Sequence, residues 1–464
     1  MGIQWQRAVT VAAWWAQGVH VARCYHRLVG REFWAADQWR EFQADSLRQL
    51  VRHCYENVPF YRDRFDACRV RPQDIRGPED LLRIPVLTKE EARANIERLL
   101  ARNIPRRRLK PTTTSGSTGK PLTLYTDARV SEYTEAGMWR DFVRCGWEPG
   151  EKVAGTWGQR PLGSLPRRWM HAVCDRVAGI VYLDAWCAGE REFEQWLAKL
   201  KAQRPTVLVC FPSMGSRLAR WLMDRQEAVP GIKGVFTTAE RLYEYDRDVL
   251  AQAFGCRVFD FYGSQEVRHV ACQCEKGQMH IFPDMVVVET GEPDELGHPP
   301  LILTGLVNWA MPFLRYQVGD SGSLKQGRCD CGRESPLMEL QITRLSDVFR
   351  FPNGKEYPGQ YFIHSFSRAG FEGVELFQFH QDQPDHIWLR VVKGRKFSPE
   401  TGQRLEALVR EIEEQIERQA RVELAYSDGI DQTASGKHCF ARSNVTKPPA
   451  SAAADPRRGK DGKP

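Results

Sequence analysis

The sequence predicts an α/β protein in which a large N-terminal domain with mixed and parallel sheets precedes a small α+β domain. Short apolar runs recur along the first part of the chain: VAGTWG (153–158), GIVYLDAW (179–186), TVLVCF (206–211), GVFTTAE (234–240), CRVFDFYGS (256–264) and PLILTGL (300–306). Between two of them a helical pattern puts Phe193, Trp196, Leu197 and Leu200 on one face, so buried, largely parallel strands alternate with covering helices. The length, 464 residues, exceeds one ordinary core. After about Leu340 the pattern changes. VELFQFHQ (374–381) and HIWLRVVK (386–393) read as strands, and a helix opens at Ser398 with Pro399 in its first turn. Leu405, Leu408, Val409, Ile412 and Ile416 mark the buried face of that helix, and RVELAYS (421–427) follows as a strand. The predicted division is therefore 1–342, with a helical segment over 1–45, then 343–445, then a disordered tail over 446–464 that has no aromatic or large aliphatic residue.

Taking the segments in order, Ala8–Ala16 is apolar but stops at Gln17, too short to span a bilayer and without a cleavage site after it. It reads as a docked helix, and Trp5, Trp14 and Trp15 would also suit peripheral contact with a membrane surface. The net charge of +7 includes +3 from the tail, and no Lys/Arg stripe is interleaved with stacking aromatics, so nucleic acid is not an expected partner. Thirteen cysteines, an odd number spread over a long chain, argue against a secreted disulfide framework and for a reducing cytoplasm. Nothing in the sequence speaks to oligomeric state.

TTTSGSTGKP (112–121) packs glycines, hydroxyls and one lysine into ten residues before an apolar run. Gly116 and Gly119 let backbone N–H groups turn toward one anion, Thr113, Thr114, Ser115, Ser117 and Thr118 add hydroxyl donors, and Lys120 adds charge. It is not a Walker loop: two residues separate the glycines, and Pro121 follows the lysine where a magnesium-binding hydroxyl would stand. The alternative for such a segment alone is a flexible turn. CQCEKGQMH and CDCGR form a second dense group. Cys274, His280, Cys329 and Cys331 make a Cys3His set suited to closed, tetrahedral, structural Zn2+, with Cys272 as a spare; reduced, unligated thiols are the alternative.

The glycine-rich segment resembles the phosphate loop of the adenylate-forming (AMP-binding) superfamily, and further matches follow in order. TTAE (Thr237–Glu240) resembles the strand that lines the adenine pocket, and DFYGSQE (Asp260–Glu266) the Y-G-x-x-E motif. MPFLRYQVGD (Met311–Asp320) resembles the Y-x-x-G-D motif, and TASGKHCFARSNV (Thr433–Val445) the C-terminal S-G-K motif. LRQLVRHCYENVPFYRDRFD (Leu47–Asp66) and IPVLTKEEARAN (Ile84–Asn95) are similar to the entry segment of the phenylacetate–CoA ligase, CapK and coenzyme F390 synthetase-like subfamily, whose members also resemble this chain at the cysteine–histidine positions.

The resemblance implies ATP-dependent activation of a small carboxylic acid as an acyl-adenylate, then transfer to the thiol of CoA, with ATP, Mg2+, CoA and structural Zn2+ as cofactors. Thr113–Lys120 would hold the β- and γ-phosphates. Ala239, Glu240, Tyr262, Gly263 and Ser264 would line the adenine site, Asp320 would accept from the ribose hydroxyls, and Arg344 would reach ribose or phosphate. Glu266 would ligate Mg2+, and Lys437 would be the catalytic lysine carried by a mobile C-terminal lid. Phe211, Pro212, Ser213 and Met214, with residues near Gly155–Gly158, are the expected acid pocket. The hinge departs from the usual G-R-x-D-D: TRLSD (343–347) puts Thr343 for the glycine and Ser346 at the acid. That departure favours an alternative, an adenylyltransferase that forms no thioester; a further alternative is a non-catalytic zinc protein of polysaccharide biosynthesis, against which Lys437 and Glu266 speak.

Overall fold

The computed structural model describes residues 20–113, 122–157, 175, 178–184, 190–293, 297–342, 348–353, 355–430 and 439–445. They fall into two compact units, divided between residues 342 and 348.

In the first unit the helices are α1 (Val21–Val29), α2 (Ala36–Asn57), α3 (Pro59–Ala67), α4 (Lys89–Ala94), α5 (Ala128–Val143), α6 (Glu190–Gln203), α7 (Pro212–Asp224) and α8 (Glu244–Phe254). A hairpin of β1 (Lys110–Thr113) and β2 (Thr123–Thr126) flanks the glycine-rich segment. The main sheet comprises β3 (Val153–Trp157), β4 (Ile180–Asp184), β5 (Val207–Cys210), β6 (Gly234–Thr238), β7 (Arg257–Ser264), β8 (Arg268–Gln273), β9 (Met279–Ile281), β10 (Val286–Thr290), β11 (Pro300–Gly305), β12 (Tyr316–Lys325) and β13 (Leu337–Ile342). Their order is β10-β11-β12-β13-β9-β8-β7-β6-β5-β3-β4.

This sheet has two halves that meet at β7. From β4 to β7 every pairing is parallel. From β7 to β10 every pairing is antiparallel. The parallel strands are apolar on both faces because helices cover both. Leu208, Cys210, Val235 and Val258 pack under Trp196, Leu200, Leu218 and Leu222. The alternate residues Val207, Val209, Phe236 and Phe259 pack with Val21, Leu28, Trp139 and Phe142 on the other side. Phe236 and Phe259 stack at 4.8 Å. Local signals set the helix ends: Asp127 Oδ1 accepts from Val130 N at the start of α5, and Gly255 at φ 63° closes α8 in the left-handed region that glycine favours.

The mixed α/β architecture agrees with the sequence expectation. The strands read at 153–158, 179–186, 206–211, 234–240, 256–264 and 300–306 all occur, with ends shifted by up to two residues. The antiparallel half is larger than the expectation of largely parallel strands. The second unit has a hairpin, β14 (Val348–Arg350) with β15 (Glu356–Pro358), then α9 (Gly359–Ala369), β16 (Val374–Gln383), β17 (His386–Lys393), α10 (Pro399–Gln415), β18 (Arg421–Tyr426) and β19 (Ala441–Ser443). Its four-stranded sheet runs β18-β17-β16-β19. Ser398 caps α10 by accepting from Thr401 N, and Leu405, Leu408, Ile412 and Ile416 are buried while Val409 is half-buried.

Candidate active site and a cysteine–histidine cluster

Strand β7 carries Tyr262, Gly263 and Ser264 out of the parallel half and turns through Gln265–Val267 into β8, so Glu266 stands at the tip of a tight antiparallel turn. Two backbone features hold this turn. A Cβ on Gly263 would lie 2.2 Å from the Arg268 carbonyl oxygen, so only glycine fits, and the register shifts there. Arg268 adopts a left-handed φ of 67°, a strained state for a non-glycine residue that clusters at functional sites.

Strand β12 lies nearby and supplies two partners. The Tyr316 hydroxyl donates to Glu266 Oε1 at 3.0 Å, and the Tyr262 hydroxyl donates to Asp320 Oδ2 at 2.9 Å. Tyr316 and Asp320 are four apart on this strand, on either side of a register shift with β11 and a left-handed φ of 90° at Gly319. Burial and the Glu266 carboxylate push the Tyr316 phenol well above its ordinary range, which keeps it a neutral donor. The residues of the Y-G-x-x-E and Y-x-x-G-D segments thus meet as two phenol–carboxylate pairs. Arg315, just before β12, braces the strand: its Nε donates to Glu289 Oε1 at 3.0 Å and its Nη1 to Ile84 O at 2.6 Å. Leu87 pairs with Tyr316, which ties the IPVLT segment to the same strand.

On the parallel side, Thr237 Oγ1 donates to Asp260 Oδ1 at 3.0 Å, and burial raises the Asp260 carboxyl to about 6. Ala239 has φ 70°. Glu240 Oε2 accepts from Ser213 N at 3.0 Å, at the first turn of α7, where a carboxylate suits the helix dipole. Phe211 and Met214 sit in the core between sheet and helix. A narrow cleft, partly open to solvent, lies beside Glu266, between α5, the β7–β8 turn and residues 305–313. Thr114–Lys120, Arg344 and Lys437, the side chain of Thr113 and the hinge segment 343–347 lie outside the described residues.

The four predicted metal ligands converge. One donor atom each from Cys274, His280, Cys329 and Cys331 lie within 4.8 Å of one another, in a mostly buried pocket. Cys274 and Cys329 sulfurs are 3.6 Å apart, and Cys331 Sγ is 3.3 Å from His280 Nε2. Zn–S bonds of ~2.3 Å in a tetrahedron would place sulfurs roughly 3.8 Å apart, so the set fits zinc. His280 Nδ1 bonds the Ser335 hydroxyl, the outer contact that leaves Nε2 for a metal. Cys272, the spare, is fully buried in the core and is not among the converging ligands.

Sequence reasoning missed the ionic network beside this cluster. Glu32, following α1, takes Arg333 at 2.5 Å, Arg144 at 3.1 Å and Arg140 at 3.7 Å. Burial alone would raise the Glu32 carboxyl, but the three guanidiniums bring it below its ordinary value. Arg140 pairs also with Asp284 at 2.9 Å, and Arg333 with Glu275 at 2.9 Å. Arg268 and the pairing of Tyr316 with Glu266 were missed too, although both partners of that pair stand inside their motifs.

Among the described helices, none is long and apolar enough to cross a membrane. A family model described as the CapK C-terminal domain matches residues 352–444. The phenylacetate-coenzyme A ligase of Thermus thermophilus is 28% identical over 385 residues, covering 79% of this chain and 84% of that protein. Protein CapK of Staphylococcus aureus is 23% identical over 286 residues, 61% of this chain and 63% of CapK. Among solved structures, 2-hydroxyisobutyryl-CoA ligase in its postadenylation state superposes with a TM-score of 0.71 at 17% identity, covering 89% of this chain and 90% of that one, a likeness of fold.

Proposed function

We propose that this chain, similar to the phenylacetate–CoA ligases and CapK, activates a carboxylic acid with ATP and passes the acyl group to the thiol of CoA. The observation that carries this reading is the pairing of the two motif segments, distant in sequence, through Glu266 with Tyr316 and Asp320 with Tyr262, so that each carboxylate is oriented by a buried tyrosine of the other segment. A carboxylate is a poor acyl donor because oxide would have to leave. One carboxylate oxygen attacks the α-phosphorus of ATP and pyrophosphate leaves; the CoA sulfur then attacks the acyl carbon and AMP leaves. Bringing two anions together costs Coulomb energy unless cations and N–H dipoles are aimed at them.

In this reading the 113–120 loop cradles the β- and γ-phosphates, and Ala239, Glu240, Tyr262, Gly263 and Ser264 border the adenine. Asp320 accepts from the ribose hydroxyls, Arg344 reaches ribose or phosphate, and Lys437 faces the developing charge on the α-phosphate. Glu266 offers a carboxylate oxygen, suited to Mg2+, which supplies charge neutralisation at the phosphates. Residues 343–445 act as the lid that carries Lys437. Zn2+ held by Cys274, His280, Cys329 and Cys331 has all four positions filled by protein, so it staples two loops rather than activating substrate. The eleven described cysteines form no disulfide with one another, which suits a reducing cytoplasm.

Incubation with ATP, Mg2+ and mixed carboxylic acids tests the reading. Mass spectrometry should find an acyl-adenylate and stoichiometric pyrophosphate, and added CoA should convert the adenylate to a thioester. No pyrophosphate with any acid would end the proposal. Adenylate formation without thioester would favour the second reading, adenylyl transfer to another acceptor, for which the altered TRLSD hinge speaks.

A further inference from the structure

The cleft beside Glu266 is not the apolar slot that a plain aryl or alkyl acid would need. Val130, Val267, Met285 and Phe313 supply apolar wall, but Arg268 and His269 stand in it together. Neighbours on a strand ordinarily point to opposite faces. The left-handed backbone at Arg268 and the register shift at Gly263 break that alternation, so strain is spent where both residues border one space.

Both have hydrogen-bonding capacity to spare. Asn308, by contrast, donates to Tyr125 O and accepts from Ala310 N and Met311 N. Thr134 donates to Val130 O. Arg268 uses one of its five N–H groups, on Gln265 Oε1 at 2.8 Å. His269 is 2% exposed and bonds Asp141 Oδ2 through Nε2 at 3.1 Å. Its ring is packed against Phe261 at 4.3 Å and against Gly137, whose Cβ would meet Cδ2 at 3.0 Å, so it cannot turn freely. With the proton on Nε2 shared toward Asp141, Nδ1 is a bare acceptor, and it has no hydrogen-bond partner. A buried acceptor without a donor costs free energy and calls for an explanation.

We propose that the acid bound here carries a hydroxyl on its tail, which donates to His269 Nδ1 and accepts from the Arg268 guanidinium. This rests on the acid-activating reading and narrows its substrate class to hydroxylated carboxylic acids. A hydroxyl is the group that meets both demands at once, and a site built to hydrogen-bond a hydroxyl discriminates strongly against the analogue that lacks it.

ATP–pyrophosphate exchange would be measured on acid pairs that differ by one hydroxyl: phenylacetate against its ring-hydroxylated forms, and butanoate against its 2-, 3- and 4-hydroxy forms. At least one hydroxylated acid should exceed its parent by about tenfold or more in kcat/KM. Arg268→Met and His269→Phe should each collapse that ratio through a higher KM for the hydroxylated acid alone. A merely structural role would slow both acids of the pair together. Melting curves check that each variant folds, and Arg268→Lys should restore part of the preference. The proposal is overturned if every parent acid matches its hydroxylated partners, or if the preference survives in both variants. Exchange with no acid at all would instead remove the acid-activating reading, and this one with it.

Discussion

The two halves of the main sheet treat their buried acids differently. In the parallel half, carboxylates are held by burial and hydroxyls: Asp260 by Thr237, and Asp246 by Ser216 Oγ at 2.5 Å. Burial lifts their carboxyls, to about 6 for Asp260 and about 7 for Asp246. In the antiparallel half, acids meet guanidiniums and phenols: Glu32 with three arginines, Glu289 with Arg315, Glu266 with Tyr316 and Asp320 with Tyr262. The parallel half thus holds acids whose carboxyls burial has pushed up. In the antiparallel half the guanidiniums bring Glu32 below its ordinary value, although at Glu289 burial still outweighs Arg315, and the candidate site sits where the halves meet.

The sharpest way to break this contrast is Glu32→Gln. Three guanidiniums would then face a neutral amide, and removing one partner of a buried ion cluster typically costs ~3–5 kcal/mol. Urea unfolding should show a loss of that order; a loss no greater than that of Asp246→Asn would erase the distinction between the halves. Next comes Glu266→Gln, which still accepts from Tyr316 and should keep the melting temperature nearly unchanged. It should lower acyl-adenylate formation by ~10²–10³ if the carboxylate is used electrostatically, read by pyrophosphate release.

The smallest effect is a pH dependence in the scaffold. The folded Asp246 carboxyl lies above its unfolded value of ~3.9, so its contribution is present below that value and lost as pH rises toward about 7. Asp246→Asn should flatten the decline in stability between roughly pH 4 and 7 and gain about 1 kcal/mol or more over the parent at pH 8. Melting curves across that range read it, and parallel pH profiles for parent and variant would show that Asp246 does not behave as a buried neutral acid.

The same contrast explains what the sequence made legible. Parallel strands such as TVLVC and GVFTT are buried on both faces and stand out as unbroken apolar runs. Strand β9 has three residues, and its partner β13 lies more than fifty residues on, so no periodicity betrays either. The motif carboxylates Glu266 and Asp320 could be picked out, but the tyrosines that hold them are defined by pairing across the sheet. Cys274, His280, Cys329 and Cys331 were readable because few residue types bind zinc. Glu32, Arg144 and Arg333 were not, since a lone charged residue looks the same whether it faces water or two partners across a core. Glu240, expected beside the adenine, shows in addition a bond at the start of α7, a local role that its motif does not advertise.

One consequence concerns the order in which the sheet comes together. Strands β9 and β13 are matched at two positions alone, Leu337 with His280 and Met338 with Met279. So brief a ladder specifies its alignment weakly, and a slip by one residue would turn His280 to the far side of the sheet. The thiols and imidazole gathered at its edge would act as the key that admits one alignment. This seam should be the last to lock during assembly, and amide protons along it the first to exchange when a chelator is added.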